Sequence, residues 1–320
     1  MKKTPEKIPR LRVAIGAGLV TALGALVLGG CGGTTSPGSS GPATSTSHPT
    51  APRAPLFYVS LGDSYAAGYQ PTGPHSGKTD TNGFAYQIPG LASKKGYDLK
   101  LVNFGCAGAT TTSILNSVGC KLEGPSAARY PTETQAQAAD DFLKAHRSKV
   151  GLVTVSIGGN DVVPCASVAQ PISCVVSAVP KMERNLATLV RGLREAAGPT
   201  VPIVGTTYPD VILGLDLSHE ASQKSLAVVS VTAFKDLINP ALQKDYTAVG
   251  GSFVDVTAAT GAYGPLTATT DLPPYGTIPV PVAKICELTF FCEYRNIHPR
   301  TAGYRIIAEL VVATLPRRDS

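Results

Sequence analysis

Leu56-Phe57-Tyr58-Val59-Ser60-Leu61-Gly62-Asp63-Ser64-Tyr65-Ala66-Ala67-Gly68 is the stretch on which the reading of this chain turns. Its first six residues are mostly apolar, aromatic or β-branched and lie between Pro55 and Gly62, which suits a buried strand. Ser64 follows at once, where a strand gives way to a helix. A serine there presents its hydroxyl beyond the sheet, beside backbone N–H groups that can steady an anion. Taken alone, Gly-Asp-Ser equally describes a plain turn capped by Asp63.

Outward from this stretch, strand-like runs recur at 99–103, 150–157, 201–206 and 252–256. Helix-like segments lie between and after them, at 84–95, 134–147, 181–197, 221–247 and 302–315. Strands alternating with helices predict a parallel sheet covered on both faces, with ligands bound at the carboxyl ends of the strands. Two loops, 70–82 and 258–286, are long enough to shape a pocket. No internal repeat is present, and the segment 56–320 reads as one domain.

Three further segments carry chemistry. Asn103-Phe104-Gly105-Cys106-Ala107-Gly108-Ala109-Thr110 follows the second strand, and its glycines let backbone approach a ligand; it also fits a tight strand-to-helix turn. Ile157-Gly158-Gly159-Asn160-Asp161 ends the third strand. Asn160 could offer an amide N–H to an oxyanion or simply bond its own backbone. Ile297-His298-Pro299 precedes the last helix, and a neutral imidazole there could take the Ser64 proton. The other four histidines, His48, His75, His146 and His219, lie in the tether, a loop, a polar helix end and beside Glu220.

In this order, G-D-S, G-x-x-G-x-T, G-G-N-D and H-P resemble the SGNH hydrolase family, the GDSL-type esterases and lipases, from Gly62 to Pro299. The resemblance implies a three-layer α/β/α sandwich with about five parallel strands, flavodoxin-like, and a carboxylic ester hydrolase acting through an acyl-enzyme. It implies Ser64 as nucleophile, His298 as general base, and an oxyanion hole of Ser64 N–H, Gly108 N–H and the Asn160 side chain. No metal or organic cofactor is implied. The family usually places an acid three residues before the histidine, where this chain has Arg295. An arginine side chain cannot accept the Nδ1 proton. A backbone carbonyl near Arg295 is the expected substitute, as in family members that work as Ser-His dyads; Glu293 or a distant acid are the alternatives. The substrate is expected to be an acyl lipid or an acylated glycan, so an O-deacetylase of envelope polysaccharide is a second reading. A catalytically disabled surface binding protein is a third, on the evidence of Arg295 alone.

The amino terminus points to export. Met1 to Arg12 carries five basic residues and one acid, and an uncharged run of about 16 residues from Val13 to Leu28 follows, shorter than a comfortable membrane span. Leu28-Gly29-Gly30-Cys31 resembles a bacterial lipobox, so Cys31 is expected to be the lipidated first residue after removal of a 1–30 signal peptide. An ordinary secretory signal or an uncleaved anchor would look similar. Residues 31–55, rich in Gly, Ser, Thr and Pro, read as a flexible tether. The expected site of action is the outer face of the bacterial cell membrane.

Removing 1–30 takes away five of 28 basic residues and one of 22 acids, leaving 23 against 21, or +2. That balance, without charge runs, gives no electrostatic case for nucleic-acid binding. A monomer is expected. The remaining six cysteines form three close pairs in sequence, Cys106 with Cys120, Cys165 with Cys174 and Cys286 with Cys292. Export makes disulfides plausible, and neighbour pairing closes the shortest loops. The rival, a zinc site, lacks any C-x-x-C pair or histidine cluster.

Overall fold

The computed structural model describes residues 54–318. The expected signal peptide, Cys31 and tether residues 32–53 lie outside the described residues. Five parallel strands form the central sheet: β1 (Leu56–Gly62), β4 (Leu99–Asn103), β5 (Val150–Ser156), β6 (Ile203–Thr206) and β7 (Ser252–Val254). Their order is β4-β1-β5-β6-β7. Two small antiparallel hairpins are added outside it, β2 (Tyr69–Gly73) with β3 (Ser76–Thr79), and β8 (Thr269–Leu272) with β9 (Gly276–Pro279).

Side chains alternate across the sheet as the strand period demands. Tyr58 and Leu152, adjacent in register, face one buried layer, whereas Val59 and Val153 face the other. The first layer is closed by α2 (Phe84–Ala92) and the C-terminal α12 (Thr301–Thr314), through Phe84, Ile88, Tyr304 and Ile307. The second is closed by α4 (Gln135–His146), α6 (Pro171–Ala197) and α8 (Asn239–Ala248), through Leu143, Leu186, Leu193 and Leu242. Both faces are therefore covered, as the alternation of strands and helices predicts. Thr134 starts α4 through a reciprocal cap with Gln137, which satisfies two N–H groups that the helix itself cannot. At Gly205 a Cβ would lie 2.0 Å from the Tyr246 ring, so only glycine lets that ring, and α8 with it, lie flush on β6.

The helix expected from residue 181 begins ten residues earlier, at Pro171, and carries Pro180 in its interior. Proline removes one helical donor, and the carbonyl it would have served belongs to Val176, an exposed residue that water can reach. The segment expected as one helix over 221–247 is α7 (Ala221–Thr232), a π turn (Ala233–Ile238) and α8. Of the two loops expected to be long, 70–82 holds the β2–β3 hairpin, and 258–286 holds the β8–β9 hairpin and the start of α10 (Val280–Leu288). The three expected disulfides, Cys106–Cys120, Cys165–Cys174 and Cys286–Cys292, are all formed.

Candidate active site

The chain reverses its direction of travel across the sheet at β1, because β4 lies on one side of it and β5 on the other. Such a switch point opens a crevice at the carboxyl ends of the strands. The segments after β1, β4 and β5 all reach it. Gly62 ends β1 at φ 134°, and a Cβ there would lie 2.0 Å from the Ser156 carbonyl, so the tight exit needs glycine. The Gln135 side chain holds both polar groups of Gly62, accepting from its N–H at 2.7 Å and donating to its carbonyl at 3.1 Å. Asp63 then caps the short helix α1 (Ser64–Ala67) by accepting from Tyr65 N–H at 2.9 Å, and accepts a hydrogen bond from the Tyr208 hydroxyl at 2.7 Å. Burial pushes the Asp63 carboxyl up to about 7. The plain turn and the candidate serine are thus one structure, since the Asp63 cap fixes the turn that carries Ser64.

Ser64 Oγ lies 2.8 Å from Nε2 of His298, joining residues 234 apart in sequence. The loop after β4 and the loop after β5 are locked to each other. Asn160 donates one amide proton to the Ala109 carbonyl at 2.9 Å, and Asp161 accepts from both the N–H (2.8 Å) and hydroxyl (2.6 Å) of Thr111. Gly108 stands between them at φ 83°, a conformation that favours glycine. Among the described residues, neither Ser64 N–H nor Gly108 N–H has a protein acceptor. The second amide proton of Asn160 likewise has no protein acceptor among the described residues.

The histidine arm departs from expectation. The Arg295 carbonyl is not the partner of His298; Nδ1 lies 2.6 Å from Oδ1 of Asn296 instead. The reason is local. Arg295 is one of two non-glycine residues with positive φ (53°) among the described residues, and it ends the short helix α11 (Phe291–Tyr294). After that left-handed turn, Asn296 closes an Asx turn, its Oδ1 also accepting from His298 N–H at 3.2 Å. Glu293 is engaged elsewhere, in an ion pair with Arg300 at 2.7 Å. Sequence reasoning missed Asn296; its one signal was an Asx-turn residue two positions before the histidine. It also missed Tyr65, whose hydroxyl donates to the Ile297 carbonyl at 2.6 Å and ties the histidine loop to the serine helix. Burial against the Tyr65 and Tyr69 rings pushes the His298 imidazole down to about 4.

Beside Ser64 opens a cleft with about 80 Å³ of enclosed space, continuous with open solvent. One wall carries Val162, Ile172 and Val175, and the other Leu226, Val229 and Phe234. Asp63 is the sole charged side chain in the lining. The π turn adds one residue to a helical turn, which brings Ile238 onto the same wall as Ala233. This apolar cleft was not visible in the sequence, because its walls come from segments that are each unremarkable.

The chain matches the model of the GDSL-like lipase/acylhydrolase family over residues 60–306. It belongs to that family and is a carboxylic ester hydrolase. No curated protein matches the chain. Solved structures that it resembles include an acetyl xylan esterase from Geobacillus stearothermophilus, at 15% identity and TM-score 0.40 over 82% of this chain and 97% of that one. An aryl esterase of M. smegmatis has 13% identity and TM-score 0.40 over 81% and 97%. A carbohydrate acetylesterase from Sinorhizobium meliloti has 13% identity and TM-score 0.36 over 81% and 100%.

Proposed function

We propose that the chain hydrolyses carboxylic esters through an acyl-enzyme on Ser64. The observation that carries this is the 2.8 Å bond from Ser64 Oγ to His298 Nε2. His298 takes the hydroxyl proton as Oγ attacks the ester carbonyl. The resulting oxyanion is held by Ser64 N–H, Gly108 N–H and Asn160 Nδ2, donors that need no rearrangement when charge develops. His298 then gives the proton to the leaving alcohol, and water activated by the same imidazole releases the acid. Because burial lowers the imidazole's proton affinity, the base is neutral and ready at neutral pH.

The apolar lining of the cleft favours an ester whose acyl part is a hydrocarbon chain over an acetylated glycan. Each buried CH₂ contributes about 0.8 kcal/mol, and an acetyl group would bury only one methyl against this lining. Export and anchoring at Cys31 to the outer face of the cell membrane complete the proposal; three disulfides suit an oxidising compartment. The test is mass labelling by a fluorophosphonate, followed by hydrolysis of nitrophenyl esters of graded chain length. Adduct on Ser64 and rising kcat/KM from acetate toward medium chains are expected. Absence of adduct would sink the acyl-enzyme, and a preference for acetate would sink the acyl-chain reading.

A further inference from the structure

His298 has to meet two demands at once: its Nε2 must be the unprotonated nitrogen facing Ser64, and its ring must not swing. Both are set at Nδ1. The atom of Asn296 facing Nδ1 is also the acceptor for His298 backbone N–H. A backbone N–H can only donate, so that atom is the amide oxygen and not its nitrogen. An amide oxygen in turn can only accept. The proton of a neutral His298 therefore sits on Nδ1, and Nε2 is left free for the serine.

We propose that Asn296 is the positioning residue of His298, an uncharged side chain that fixes tautomer and ring angle where a carboxylate would otherwise do both and add charge. This rests on the reading of His298 as the base. The surrounding chain makes Asn296 itself rigid. The Cys286–Cys292 bridge closes the approach, Phe290 N–H donates to the His298 carbonyl at 3.0 Å, and Arg300 N–H to the Leu288 carbonyl at 2.8 Å. Tyr65 holds Ile297, the residue between them, at 2.6 Å. Pre-organisation supplies the orientation, but nothing neutralises the imidazolium that forms as Ser64 is deprotonated.

The titratable groups around the ring leave that charge uncompensated. Tyr69 and Tyr65 face it with ring centroids 4.5 and 5.8 Å away, and neither carries a carboxylate. Asp63 is committed to Tyr208 and the α1 cap. On the histidine's own segment Glu293 and Arg300 pair with each other, and the Arg295 guanidinium stacks over Phe291. A carboxylate at 296 would be the first negative charge in contact with the ring.

The experiment compares kcat/KM against pH, on a soluble short-chain nitrophenyl ester, for the full chain and its Asn296→Asp and Asn296→Ala variants, with melting temperatures and His298→Ala as control. Asn296→Asp keeps the acceptor and the Asx turn. It is expected to move the acid limb upward by about one to three pH units, as an opposite charge beside an imidazole does. Asn296→Ala is expected to lose roughly 10²-fold in kcat from misplacement of the ring, to leave KM near wild type, and to abolish the downfield proton resonance of Nδ1–H. An acid limb that stays in place in Asn296→Asp, or kcat within twofold of wild type in folded Asn296→Ala, overturns the proposal. If instead His298→Ala keeps full activity, the base assignment fails and not this inference alone.

Discussion

The two arms of the site are held by different means. The serine arm is built into the sheet: Gly62 is the last residue of β1, its carbonyl accepts from Cys106 N–H at 2.9 Å, and Asp63 N–H donates to Ser156 at 3.0 Å. Its geometry is therefore fixed by the strand ladder and by the core on both faces. The histidine arm lies outside the sheet, between α10 and α12. It is fixed by cross-links instead: one disulfide, one isolated β-bridge between Thr289 and Pro299, and the Tyr65 hydroxyl. A strand end cannot move without unfolding the domain, whereas a cross-linked loop can be loosened one tie at a time. The difference predicts that damage to the first arm shows in stability as well as rate, and damage to the second mainly in rate.

The largest effect expected is common to both arms. Ser64→Ala and His298→Ala should each lower kcat by about 10⁴- to 10⁶-fold, with the double variant no worse than either, since the pair acts as a unit. Additive losses in a burst-phase assay would break the pairing. Asn160→Ala should cost roughly 10²- to 10³-fold in kcat through loss of one oxyanion donor; turnover near wild type would remove it from that role. Loosening the histidine arm, by Tyr65→Phe or by Cys286→Ala with Cys292→Ala, should cost about 10-fold in kcat with intact Ser64 labelling. The contrast between the arms fails if these variants melt as low as ones that disrupt β1.

Smaller effects concern pH. The base must be neutral, so kcat/KM should fall only as pH drops toward the His298 value of about 4. An acid limb near the usual histidine value of 6.5 would show the ring to be more solvated than its surroundings imply. Folding stability carries the opposite signature at Asp210, which is buried, bonded to Ser230 at 2.8 Å, and raised by burial from 3.8 to about 7. The folded chain holds that proton where the unfolded chain has released it. Its contribution is thus full below 3.8 and declines as pH rises to about 7. Asp210→Asn should raise the melting temperature at pH 8, at roughly 2–4 °C per kcal/mol for a domain of this size, and change it little at pH 4.

Legibility in sequence followed the same division. Ser64, Gly108 and Asn160 follow strands whose apolar, β-branched runs are local signals, and the chain places them at the switch point by topology alone. All five strands are visible for that reason, with ends off by at most two residues. The candidate His298 is legible from its order after three other motifs, and it does lie 2.8 Å from Ser64. The Asn296 contact to its ring is not, because it depends on a left-handed Arg295, a conformation that arginine seldom adopts and that no periodicity reveals. The start of α6 was hidden by Pro171 and Pro180, and the cleft by the π turn, which shifts the helical period midway along an otherwise ordinary apolar pattern.

Gln135, which holds Gly62, Asn160, which holds Ala109, and Asn296, which faces the His298 ring, are all primary amides. Amide side chains are thermolabile, and each that loses ammonia becomes an acid. At Gln135 the new carboxylate would face the Gly62 carbonyl; at Asn160 a donor would vanish. At Asn296 the acceptor would survive and gain a charge. A sample in which these amides deamidate would therefore become a mixture of isoforms that differ in turnover and in pH response.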